Sequence, residues 1–96
     1  MSYKRVMIPG RNLAVPKDLV PLVLGLEEIA GTNIAAKEFS ERGSSKKEIE
    51  LRGYDEQTKM ISIRCKHTEY IQVFAVKVTE QSQVLRINEL IKNYKF

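Results

Sequence analysis

The chain has 96 residues, 43% of them hydrophobic and 29% charged, with one cysteine and a net charge of +4. That length allows one domain with a small core, the apolar content excludes a disordered chain, and a lone thiol excludes an internal disulfide and fits a reducing compartment. The positive excess is confined to one end: residues 1–17 hold Lys4, Arg5, Arg11 and Lys17 with no acid, and the other twelve bases are matched by twelve acids.

Residues 3–8 read as a short strand with Val6 and Ile8 on one face, ended by Pro9-Gly10. Residues 11–17 read as a connector containing Pro16. The apolar run Val6-Met7-Ile8 is shorter than the ~7–15 residues of a signal-peptide core. The longest apolar stretch, 19–26, falls short of the ~20 residues that span a bilayer. These lengths predict a cytoplasmic protein with no membrane partner.

A first helix follows. Asp18 is placed to cap it by accepting the Val20 N–H, Pro21 falls in the first turn, where its missing N–H is no loss, and Gly31 sits where the helix ends. Leu19, Val23, Leu26 and Ala30 repeat with helical spacing. Val20, Leu22 and Leu24 add apolar surface off that stripe, so more than one side of this helix needs cover. Gly25 weakens a helix interior by about 1 kcal/mol, which predicts close approach of another backbone.

Residues 33–40 are a strand candidate, and 41–47 a polar loop. Residues 48–53 alternate, with Ile49 and Leu51 inward, and 54–58 read as a connection. Residues 59–66 form a strand with Ile61, Ile63 and Cys65 on one face and Met60, Ser62, Arg64 and Lys66 on the other. After a turn near 66–69, residues 70–78 are rich in β-formers and read as strand. The competing reading is a helix starting near Thr68. The last helix has Thr79 as N-cap and a stripe of Val84, Ile87, Leu90, Ile91 and Tyr94. The order β-α-β-β-β-β-α predicts an α+β fold, a small antiparallel sheet with two helices packed on one face, in a single domain over residues 1–96.

No catalytic constellation, metal site or cofactor site emerges. Cys65 and His67 are too few for zinc, which takes at least three protein ligands, and their strand places Cys65 on the apolar side. The glycines are isolated and form no phosphate-binding loop. There is no ribonucleoprotein signature, KH-type loop or zinc knuckle.

Two surfaces remain. If Ile71, Val73 and Ala75 join Ile61 and Ile63 against the helices, the opposite face presents Arg64, Lys66, Tyr70 and Phe74. Cations beside aromatic rings suit RNA or single-stranded nucleic acid, whose bases stack while phosphates meet the charges. Lys4, Arg5 and Arg11, with the loop cations Arg42, Lys46 and Lys47, would extend that track. The alternative is a protein–protein interaction or regulatory module, a homodimer through Leu22 and Leu24 of the over-apolar first helix.

Overall fold

The computed structural model describes residues 4–8, 10–40 and 43–95, with residues 37–40 described by their backbone alone. Tyr3, Pro9, Glu41 and Arg42, invoked above, lie outside the described residues. The elements are β1 (Arg5–Met7), β2 (Ala14–Pro16), a 3-10 turn (Lys17–Leu19), α1 (Val20–Ala30), β3 (Ile34–Ser40), β4 (Glu48–Asp55), β5 (Met60–Lys66), β6 (Ile71–Lys77) and α2 (Gln81–Asn93). The class is α+β, as the order of elements predicts. Residues 70–78 contain a strand, not a helix. Among the described residues no helix is long and apolar enough to cross a membrane.

Four strands form one antiparallel sheet in the order β3-β6-β5-β4. The connector expected over residues 11–17 contains a strand of its own. β2 pairs with β1 as a separate antiparallel ribbon. Both edge strands of the larger sheet carry an irregularity, β3 between Ala36 and Glu38 and β4 between Leu51 and Tyr54. Breaks of this kind bend an edge and blunt its pairing with another sheet.

The register of β5 and β6 decides which side chains are core. Ile61 faces Val76, Ile63 faces Phe74 and Cys65 faces Gln72. All six are buried, and the apolar ones belong to the cluster that Leu19, Leu22, Val23, Leu26 and Ile87 complete from the helices. The opposite face carries Ser62 beside Ala75, Arg64 beside Val73 and Lys66 beside Ile71. This corrects the face assignment made from the sequence. Four residues, 67–70, separate the paired Lys66 and Ile71. Odd positions of β5 therefore oppose even positions of β6.

The helix ends also differ from expectation. α1 begins after Leu19, and the preceding turn takes Asp18 out of the capping position. α2 is capped by Glu80 instead of Thr79, and the Gln83 side-chain oxygen accepts the backbone N–H of both residues. Gly31 ends α1 with φ 69° and its N–H on the Glu27 carbonyl. α2 is fastened near one end to α1 and near the other to the 3-10 turn before it. Gln83 donates to the Ile29 carbonyl, and the Tyr94 hydroxyl donates to the Asp18 carbonyl.

Candidate interaction surfaces

The open face of the sheet is the natural place to look for the cations. Lys66 lies between two glutamates of β4, its Nζ 3.2 Å from Glu48 and 3.0 Å from Glu50. Arg52 and Lys46 approach the same two carboxylates from outside, at 3.8 and 3.7 Å. The hydrogen bond from Lys66 holds Glu50 below the usual carboxylate range, and the two glutamates raise Lys66 in return. Arg64 is half-buried opposite Val73, and its Nε makes no hydrogen bond. This face is a ladder of alternating charge, not a uniformly basic one.

The two aromatics expected there are elsewhere. Tyr70 is 1% exposed and Phe74 0%. Phe74 packs under the helices because its register partner is Ile63. Tyr70 stacks flat on the His67 ring, with centroids 4.5 Å apart. Burial pushes the Tyr70 phenol well above its ordinary range. No base could stack on either ring without unpacking the core.

The N-terminal cations divide. Arg11 is a clamp: it pairs with Glu27 at 2.6 Å and donates to the carbonyls of Thr32 and Ile34. It thereby ties the loop that joins β1 to β2 to the far end of α1. Lys4, Arg5 and Lys17 are exposed. The Arg5 guanidinium donates to the Ala14 carbonyl.

The single histidine and cysteine do not form a reactive pair. His67 Nδ1 accepts the Glu69 N–H at 3.1 Å, which assigns the ring proton to Nε2, 3.4 Å from the Asp18 carboxylate. That contact occupies the carboxylate expected to cap α1. Cys65 is buried among apolar side chains, and desolvation pushes its thiol up to about 12. A thiol so placed is neither nucleophile nor ligand at neutral pH. Among the described residues no group of three His, Cys, Asp or Glu side chains could hold a metal ion.

The helical layer supplies an unfilled apolar surface. Between α1 and α2 runs an open groove of about 740 Å³, with Gly25, Ile29, Leu85 and Leu90 in its walls. Leu85 is 60% exposed, and Leu24 on α1 is 42% exposed. Leu22, expected at an interface, is instead fully buried in the core. It lies one turn after Leu19, between the helix and the sheet. Sequence reasoning missed Leu85. The signal was present: Leu85 falls off the Val84, Ile87, Leu90, Ile91, Tyr94 stripe, on a helix face otherwise polar.

Comparison with protein-family models, with curated proteins and with solved structures finds no match for this chain.

Proposed function

We propose that this protein is a non-enzymatic protein-interaction module that acts as a homodimer, two copies meeting through the outer faces of α1 and α2. The observation that carries the reading is the apolar groove with Leu85 standing 60% exposed at its wall. An apolar patch on so small a domain marks a contact surface.

The charges around the groove favour a second copy. Glu28 and Glu89 supply two acids, and Arg86 and Lys95 two bases. A rim of equal and opposite charge is self-complementary across a two-fold axis, where each residue meets the partner's copy of another. A strongly acidic or basic partner would leave half of these groups facing like charge. The edges of the larger sheet offer a poorer route to self-association, because the register of both is interrupted. The gain is also larger for a chain of this size, whose own core is small.

Sedimentation equilibrium tests it. The native chain should be dimeric at micromolar concentration, and Leu85→Glu should be monomeric with an unchanged circular dichroism spectrum. A native chain that stays monomeric near millimolar concentration, or a Leu85→Glu variant that stays dimeric, overturns the reading.

A further inference from the structure

The β1–β2 ribbon carries a second surface, independent of the helical groove. Ile8 N–H donates to the Leu13 carbonyl and Lys17 N–H to the Lys4 carbonyl. With Val6 opposite Val15 between them, Val6 and Val15 are the pair that exchanges bonds across the ribbon. In an antiparallel ladder the intervening residues turn their N–H and C=O away from the partner strand. Met7 therefore directs its backbone groups to the outer edge of β1. The far edge of β2 is unlike it: Pro16 lies there with no N–H to offer, and Val15 and Pro16 are buried.

All three residues of β1 are exposed, Val6 at 38% and Met7 at 53%. The ribbon around them is basic. Lys4, Arg5 and Lys17 are exposed, and no carboxylate occurs between residues 4 and 17. Glu27, an acid of α1, is engaged by Arg11.

We infer that the outer edge of β1 takes up an extended, acidic segment of a partner protein as a third strand. The backbone of Met7 would bond the incoming strand, Val6 and Met7 would cover its apolar side chains, and Lys4 and Lys17 would meet its carboxylates. Strand addition draws affinity from main-chain bonds and specificity from side chains on alternate faces. A flexible thioether suits a surface that must fit varied side chains.

The probe is a fluorescein-labelled peptide of alternating glutamate and valine, read by anisotropy. Saturable binding that weakens as salt rises from about 50 to about 500 mM is expected, since exposed charges are screened over that range. Addition of the peptide should slow hydrogen exchange at the Met7 amide. Met7→Pro, which deletes that N–H without touching the Val6–Val15 pair, should lower affinity at least tenfold. Lys4→Glu combined with Lys17→Glu should do the same. Leu85→Glu should bind as the native chain does, so a failed dimer reading would leave this result standing. Absence of saturable binding, an unprotected Met7 amide, or equal binding of a peptide interrupted by prolines would overturn the inference. So would binding of polyuridylate or anionic vesicles in place of the peptide, which would assign these cations to phosphate.

Discussion

Gly25 and Leu90 interlock where the two helices meet: a Cβ placed on Gly25 would lie 3.0 Å from Cδ1 of Leu90. The sequence implied close approach of a backbone here, and the structure supplies a leucine side chain instead. Alanine at position 25 gains about 1 kcal/mol of helix propensity but must push Leu90 aside. The two effects separate in a double-mutant cycle. Gly25→Ala should stabilise a Leu90→Ala background by about 0.5–1 kcal/mol, the propensity term alone. In the native background it should bring no gain. Denaturant unfolding of the four proteins reads the coupling, and additive values would mean the contact is slack.

Phe74→Ala should cost about 3–5 kcal/mol, the usual range for emptying a buried aromatic site. That is a large share of the ~5–15 kcal/mol available to a domain. Tyr70→Ala should also be severe, because it removes the ring stacked on His67. Thermal unfolding checks both. Variants that melt like the native chain would return these rings to the surface and reopen the nucleic-acid reading.

These two residues show where the sequence was legible and where it was not. The periodicity of residues 59–66 identified the inward face of β5 correctly, because Ile61, Ile63 and Cys65 alternate with polar neighbours. Residues 70–78 are apolar on both sides, so their pattern left the phase open. Loop length then decided it, and a change of one residue exchanges the faces of a strand. Lys77 was the available clue. It belongs to the Ile71, Val73, Ala75 set, and a lysine at the end of that row argues for the open side. Arg11 could not be read as occupied, since its partner Glu27 is 16 residues distant.

Cys65 should be unreactive in the native protein. Burial holds its thiol near 12, so at pH 8 almost no thiolate exists to attack a reagent. Labelling by a thiol-specific disulfide reagent should proceed at the rate of unfolding and become immediate in denaturant. Prompt labelling of the folded chain would contradict the burial.

The Glu50–Lys66 pair should show its sign in titration. Glu50 is held below its ordinary 4.5, so its contribution to stability is present above that value and lost as pH falls through the depressed one. Lys66 is held above its ordinary 10.5, so its contribution is present below 10.5 and lost as pH rises through the elevated value. The pair is therefore fully engaged between 4.5 and 10.5. Both groups are solvent-exposed enough that the effect on overall stability is small. The sensitive readout is the side-chain carboxyl resonance of Glu50. In Lys66→Gln its midpoint should rise toward the ordinary value, and an unmoved midpoint would show that the lysine is not its partner in solution.

Arg11 offers the sharpest contrast between charge and geometry. One guanidinium meets a carboxylate on α1 and two carbonyls beyond the helix end, with only 14% of its side chain exposed. Removing it in Arg11→Ala strands Glu27 and frees the loop that joins β1 to β2. The expected loss is about 1.5–3 kcal/mol, the range for a charged hydrogen bond withdrawn from a partly buried partner. Arg11→Lys keeps the charge but replaces a rigid fork with a single ammonium that cannot serve all three acceptors. It should recover the ion pair and lose the carbonyl bonds, giving an intermediate stability. If lysine restored the native value, the charge alone would hold this corner. If lysine proved no better than alanine, the planar fork that reaches Thr32 and Ile34 would be what fixes the ribbon against α1.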